Sequence, residues 1–425
     1  MPRNDNWLPS SRRSIGGYSS RRGSSGASLR RFRGLVILVV LLLVIISAIQ
    51  LIRPVPMPTL SQSMRLATTV GGPAVSLPYP TNGESEVVVP QVGVLGQSGG
   101  SQPVQIASVA KMMTAYIIIK DHPLAIGASG PSITITQADY QSYLQQSAAV
   151  DSVMAVAPGE TMSEYQMLEG LLIPSADNIA TALARWDAGS TTAFVAKMNA
   201  MAKKLGMTAT HYTDPSGLDP RTVSNTKDQM KLAQLLEQNP TLSQIVSYPQ
   251  ATLPVAGVVY NVDYDLGSDG IAGIKTGSTP SGGSFVFYSR ANIQNQSTGI
   301  FGAVLFQQSG QPLITALDVA KALAKAAPGQ VRYFKVISAG AVVGTLTPPG
   351  GGAINVYATK SVYAFGWAGL NESIAVSPTL KTHTVASGAK VAEITVKVGE
   401  QVFKEPAVVN SPVVKASLKW RLTRL

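Results

Sequence analysis

The chain has no cysteine. Disulfides, thiol nucleophiles and thiolate metal sites are therefore excluded, although the absence names no compartment. Histidine is scarce too: His122, His211 and His383 are scattered, with no His-Glu-x-x-His and no ligand spacing. A zinc carboxypeptidase is not expected, nor any other metal site. There is no glycine-rich phosphate loop, and no cofactor is expected. A basic surface is missing as well. The formal net charge is +11, but nine of the 34 Lys and Arg and one of the 23 Asp and Glu lie within residues 1–53, which leaves the rest at +3. That nearly neutral body argues against a nucleic-acid partner.

The basic excess belongs to the N-terminal tail, and the tail is followed by an apolar run. Leu35 to Ile52 (LVILVVLLLVIISAIQLI) carries no charge and is about long enough to cross a bilayer as a helix. Eight arginines precede it, which by the positive-inside rule hold the N-terminus in the cytoplasm and send the rest of the chain outward. A cleaved signal peptide is the competing reading, but the preceding region is long and no clean small-x-small site closes the run. The expected localisation is a bacterial cell membrane, crossed once, with the remainder extracytoplasmic.

At 425 residues and 45% hydrophobic, the chain has room for two or three domains. Residues 1–34, rich in Ser, Gly and Arg, are expected to be a disordered cytoplasmic tail. Residues 35–52 form the signal anchor, and 53–77, rich in Pro, Ser and Thr, a linker. A mixed helix and strand domain follows over 78–334. In it, Val87 to Val89 and Val92 to Leu95 read as strands, Ala107 to Lys120 as a helix, and Met162 to Trp186 as two helices parted near Pro174. Thr191 to Leu205 is a further helix and Ile274 to Ser289 is strand-rich. Over 335–425, Val-rich runs alternate with Gly and Pro turns, which predicts a small β domain. Its end, Leu418 to Leu422, alternates apolar and charged residues as a half-buried strand would, with a membrane-surface helix as the alternative.

Ser108 stands three residues before Lys111 where the apolar helix begins, so the two side chains share a face. Burial beside Met112, Met113 and Tyr116 would disfavour the lysine ammonium and make it a usable base for the hydroxyl. Alone, the pair reads better as a capping serine and a lysine that extends to solvent. Ser387 to Lys390 repeats the spacing in a turn-rich stretch, where it carries no chemistry. Two later elements change the weight: Ser175-Ala176-Asp177-Asn178 in the break between helices, and Lys275-Thr276-Gly277 before a strand.

Ser-x-x-Lys, a Ser-x-Asn-like element and Lys-Thr-Gly, in that order, resemble the penicillin-binding enzymes and serine β-lactamases. The texts VAPGETMSEYQMLEGLLIPSADNIATALARW, MNAMAKKLGMTATHYTDPSGLDPRTVSNTKDQMKLAQ and DGIAGIKTGSTPSGG resemble the low-molecular-mass penicillin-binding proteins that are serine D-alanyl-D-alanine carboxypeptidases, continuously over about 87–325. The resemblance implies an α/β (α+β) fold: a β-lactamase/transpeptidase-like domain with a central antiparallel sheet flanked by helices, plus a small C-terminal all-β domain. It also implies a mechanism. Ser108 attacks the bond between the terminal D-alanines of a peptidoglycan stem peptide, and Lys111 takes its proton. Ser175 relays a proton to the leaving amine. Lys275 and Thr276 hold the substrate carboxylate, and Lys275 keeps Lys111 neutral by repulsion. Gly277 lets substrate approach the strand edge, and the N–H groups of Ser108 and Ser278 form the oxyanion hole. β-Lactams would acylate Ser108 as substrate mimics.

One position departs from the family pattern. Its Ser-x-Asn has aspartate here, Asp177, with Asn178 one place later. An ionised aspartate cannot donate to a substrate carbonyl and could pair with Lys111. Either Asn178 takes over through a local shift, or Asp177 impairs turnover. The impaired case would make the chain a penicillin-binding wall or sensor protein. A β-lactamase is the third reading, disfavoured by the missing Glu-x-x-Leu-Asn element and the extra β domain.

Overall fold

The computed structural model describes residues 25–64 and 67–424. Of the disorder expected over 1–34, residues 1–24 lie outside the described residues, and over 25–34 the expectation is corrected, because these residues are helical. A helix runs from Ser25 to Ile52, so it begins ten residues before the apolar run rather than with it. Residues Leu29–Ile52 are long and apolar enough to cross a membrane, and among the described residues this is the one such helix. Its apolar side chains, Leu35 to Ile46, are exposed. The helix stops before Pro54, which offers no N–H and disfavours helical geometry at the residue before it.

The central domain is built on a five-stranded antiparallel sheet, ordered Ile271–Thr279, Gly282–Ile293, Gln296–Gln307, Glu84–Val89 and Gly93–Ser98. The first of these, bearing Lys275 and Thr276, is an edge strand. On one face the helix Pro312–Ala326 buries Ala316, Leu317, Ala320 and Leu323 against Phe285, Phe287 and Val304. On the other lies a larger helical layer. Its centre is Lys111–Asp121, whose Met112, Met113, Ile117 and Ile118 are fully buried among Leu168, Leu171, Ile179 and Leu183 of the helices Glu164–Leu172 and Asp177–Ala188. Helices on both faces of an antiparallel sheet match the fold class expected from sequence.

Two buried glutamates carry a consequence for stability. Glu84 and Glu164 are 3% and 1% exposed, and burial pushes each carboxyl up to about 7. Oε1 of Glu164 has no hydrogen-bond partner. Each group holds its proton when folded and loses it when unfolded over the window from about 4.5 to about 7. Their contribution is therefore whole below about pH 4.5 and lost as pH rises through 7. Glu164→Gln is expected to flatten that decline and raise the thermal midpoint at pH 8 by about 2–4 °C. Calorimetry at pH 5 and pH 8 checks it, and an unchanged pH 8 midpoint would count against a buried carboxylate cost.

The C-terminal residues form a sheet with its own core, including Val343, Val356, Ile394, Val396 and Val409. The sheet has seven strands, and its two outer ones come from the stretch read as linker: Thr59–Gln62 at one edge and Ala67–Thr69 at the other. That expectation is corrected. The two short segments find partners some 290–300 residues away, Thr59 opposite Thr347 and Thr69 opposite Asn371. The edges must also meet. From Gln62 to Ala67 the chain spans at most about 18 Å, whereas seven flat strands would hold the edges about 29 Å apart. The sheet is therefore curled, and the Gln62 amide closes the seam, donating to Ile374 O (2.8 Å) and accepting from Val376 N (3.0 Å). A second correction concerns the end of the chain. Leu418–Thr423 is a helix, capped by the Ser417 side chain, and not a strand.

Candidate active site

Ser108 sits on a single tight turn, Ala107–Ala110, that feeds the helix Lys111–Asp121. Ala107, just before it, has a φ of +49°, and Ser175 has +64°. Both are outside the comfortable range for residues with a Cβ and cost about 1–3 kcal/mol each. Two glycines allow the crowding behind the turn. A Cβ on Gly217, whose φ is +84°, would stand 1.8 Å from Ala107 O. One on Gly277 would stand 2.7 Å from Ile106 O and 3.1 Å from Ser108 N. The close approach that Gly277 permits is thus of the edge strand to the serine turn, rather than of substrate to the strand. Gly277→Ala is expected to push the two apart and slow acylation about 100-fold, the usual effect of an ångström of misplacement. Stopped-flow acylation by a chromogenic β-lactam measures it; a loss under threefold would mean that this contact does not position the serine.

Lys111 is fully buried and reaches four acceptors. Its Nζ donates to Ser108 Oγ (2.7 Å), Asp177 Oδ1 (2.5 Å), Ser216 O (3.3 Å) and Ser175 Oγ (3.4 Å). The i, i+3 spacing does place the lysine against the hydroxyl, and Ser175 and Asp177 close on the same amine. Asn178 does not. Its amide donates to Met154 O (2.9 Å) and accepts from Met154 N (3.0 Å), while Asp177 N donates to Ser152 O (2.7 Å). Asn178 therefore fastens the loop beside the cleft, and both its polar atoms are engaged.

Lys275 and Thr276 are buried on the edge strand, next to Gly277. Burial first, and the Lys111 charge second, hold the Lys275 ammonium well below the usual lysine range; Asp177 and Asp263 oppose the shift. Its Nζ donates to Thr276 O (3.0 Å). Ser278, exposed, completes this side of a cleft of about 550 Å³ that also takes in Gln105, Ser108, Asp151, Ser152, Asp177 and Gly217.

Several contributors had no assigned role at the level of sequence. The turn Asp214 to Leu218 supplies Ser216 O to Lys111, and Thr114 Oγ1 pins it through Pro215 O (2.6 Å). Asp214 Oδ2 in turn accepts from Ser216 Oγ (2.7 Å) and Leu218 N (2.9 Å). Asp263, 6% exposed, lies close enough to Lys275 for its charge to oppose the fall in the lysine pKa. His211 only pairs its backbone with Val223. The second Ser-x-x-Lys, Ser387 to Lys390, lies in a C-terminal turn, where Lys390 pairs with Glu393 in solvent. Among the described residues no cluster could hold a metal ion.

A family model described as D-alanyl-D-alanine carboxypeptidase matches residues 85–303, just over half of the chain. The chain is 31% identical over 202 residues to a D-alanyl-D-alanine endopeptidase of Pseudomonas aeruginosa, which is 46% of this chain and 62% of that one. It is 38% identical over 104 residues to the D-alanyl-D-alanine carboxypeptidase DacB2 of Mycobacterium tuberculosis, 24% of this chain and 35% of that one. It thus spans less than two thirds of the length of these curated relatives. In fold it is similar to penicillin binding protein 5 of Haemophilus influenzae, with a TM-score of 0.57 and 18% identity over 80% of this chain and all of that one. Taken with a buried Ser-Lys-Ser cluster beside a Lys-Thr-Gly edge strand, the family match over 85–303 decides membership: the chain belongs to the S11 peptidases, the D-alanyl-D-alanine carboxypeptidase family.

Proposed function

We propose that this chain is a membrane-anchored serine D-alanyl-D-alanine carboxypeptidase. It removes the terminal D-alanine from peptidoglycan pentapeptide stems through an acyl-enzyme on Ser108, and β-lactams inhibit it by forming the same bond. The observation that carries the reading is the Lys111 amine, 2.7 Å from Ser108 Oγ inside a site that excludes water from the lysine. Lys111 in its neutral form takes the Ser108 proton as Oγ attacks the penultimate carbonyl. Ser175, on the other side of the amine, passes a proton to the departing D-alanine nitrogen. Lys275 and Thr276 hold the terminal carboxylate, Asp177 borders the peptide, and the N–H groups of Ser108 and Ser278 stabilise the oxyanion, at about 3 kcal/mol each. The helix Leu29–Ile52 crosses the bacterial cell membrane once, with the catalytic domain on the extracytoplasmic side.

Release of D-alanine from diacetyl-Lys-D-Ala-D-Ala, together with labelling by a fluorescent penicillin, tests the proposal. Both are expected in the intact chain and absent in Ser108→Ala. Release without labelling, or either one surviving in Ser108→Ala, would overturn it. A second reading rests on Asp177, 2.5 Å from the Lys111 amine: a penicillin-binding wall or sensor protein that acylates but turns over poorly. Stable labelling without D-alanine release would favour it.

A further inference from the structure

The two ends of the chain converge on one place. Arg421, in the C-terminal helix, donates through Nη2 to Leu51 O, and Arg424, just beyond it, donates through Nη2 to Gln50 O (2.8 Å) and Arg53 O. Arg424 Nη1 donates to Pro54 O (3.1 Å), and Gln50 Nε2 returns a bond to Arg424 O (2.9 Å). The last carbonyls of the helix Ser25–Ile52, which have no partner within it, are thereby capped by two arginines from some 370 residues away. Trp420 braces the joint: a side chain at Gly350 would collide with its ring, and the Arg424 guanidinium lies 5.3 Å from the ring centroid.

Beside this joint is a cavity of about 390 Å³, lined by Arg53, Pro54, Val55, Pro56, Trp420 and Arg424. Arg53 and Arg424 stand on its wall, and the flanking sequence has no Asp or Glu side chain between Asp5 and Glu84 or after Glu405. The carbonyl bonds do not satisfy the arginines either. Nε of Arg421 and Nε of Arg424 are buried and have no acceptor. The Arg53 and Arg424 guanidiniums on the cavity wall suit an anionic acceptor, and the planar fork of arginine matches phosphate oxygens.

We propose that this cavity binds the phosphate of an anionic phospholipid headgroup. The proposal rests on the reading that Leu29–Ile52 crosses the membrane, because that puts Arg53 and the cavity at headgroup depth, where Trp and Arg anchor most readily. The apolar wall of Pro54, Val55, Pro56 and Trp420 suits the glycerol and upper acyl carbons of a lipid better than a free ion. A choline or ethanolamine headgroup would bring its own ammonium against the Arg53 and Arg424 guanidiniums. The bound headgroup would tie the curled C-terminal sheet, whose edge strands start at Thr59 and Ala67, to the membrane surface at a fixed height.

The test uses the full chain, solubilised with an equimolar mixture of phosphatidylglycerol and phosphatidylcholine, and counts the lipids retained by native mass spectrometry. Phosphatidylglycerol is expected to be retained about fivefold over phosphatidylcholine, and Arg53→Gln to remove most of that preference, the effect of one lipid-facing arginine. Arg53 side-chain atoms make no hydrogen bond among the described contacts, so this variant keeps the joint, whereas Arg424→Gln also uncaps the helix. Equal retention of both lipids, or a preference indifferent to Arg53→Gln, would overturn the site. Displacement of the lipid by millimolar inorganic phosphate would overturn its assignment to a headgroup. Flotation of vesicle-reconstituted chain after alkaline carbonate reports the anchor separately. A chain that stays with the vesicles yet shows no headgroup preference overturns the site alone; a chain stripped from them overturns the anchor and the lipid assignment together.

Discussion

Lys111→Met is expected to slow acylation of Ser108 by about 10⁴-fold, the full effect of removing a positioned general base. Methionine fills nearly the same volume, so the packing against Met112, Met113 and the helix Asp177–Ala188 has no cavity to accommodate. What it lacks is the amine that touches Ser108 Oγ, Ser175 Oγ, Asp177 Oδ1 and Ser216 O at once. The variant also leaves the Asp177 carboxylate buried without its partner, which costs about 3–5 kcal/mol and lowers the thermal midpoint by roughly 10 °C. A chemist could then mistake partial unfolding for a catalytic loss. The double variant Lys111→Met with Asp177→Asn removes both charges and is expected to recover most of the midpoint while acylation stays lost. Fluorescent-penicillin labelling kinetics and calorimetry on the two variants separate the effects. Labelling within tenfold of the unaltered chain in Lys111→Met would mean that another group takes the serine proton.

The parts of this fold that were legible in sequence are those fixed by neighbours along the chain. Ser108 and Lys111 meet because a helix brings i and i+3 together. The hairpin of Glu84–Val89 and Gly93–Ser98 follows from two short apolar runs around Pro90, and the apolar run ending at Ile52 needs no partner to be read as a helix. The parts missed are fixed by residues far away. Thr59–Gln62 has four residues and a weak strand pattern; it is a strand because Val342–Thr347 waits for it. Leu418–Thr423 alternates apolar and charged side chains, yet becomes helical where its arginines can reach the carbonyls at the end of another helix. In the site, the order of the three motifs was readable, but the Ser216 carbonyl, the Gly217 turn and Asp263 arrive from loops whose local sequence has no catalytic pattern. Asn178 shows the same limit from the other side. Its type and position suited a substrate contact, and only the backbone of Met154, 24 residues earlier, determines that it serves the loop instead.

Asp177→Asn is expected to raise the acylation rate about tenfold, and with it D-alanine release. Asp177 Oδ1 lies 2.5 Å from Lys111 Nζ, both groups are buried, and Lys275, whose ammonium burial disfavours, shares the neighbourhood. An ammonium paired with that carboxylate has no lone pair with which to accept the Ser108 proton. The Asp177 carboxylate thus competes with Ser108 Oγ for the one amine. An asparagine in the same rotamer would keep one acceptor oxygen toward the amine, remove the charge that retains the proton, and turn an NH₂ donor toward the cleft. The tenfold figure corresponds to about 1.4 kcal/mol. The stability cost is reduced because Lys111 keeps Ser108, Ser175 and Ser216 as acceptors. Single-turnover acylation of Asp177→Asn by a chromogenic β-lactam, with D-alanine release measured beside it, decides the point. A faster variant makes Asp177 a brake on an otherwise complete site. A variant slowed tenfold or more would instead make the carboxylate a participant, taking the lysine proton itself, and Asn178→Asp would then be unable to restore it, since residue 178 faces Met154.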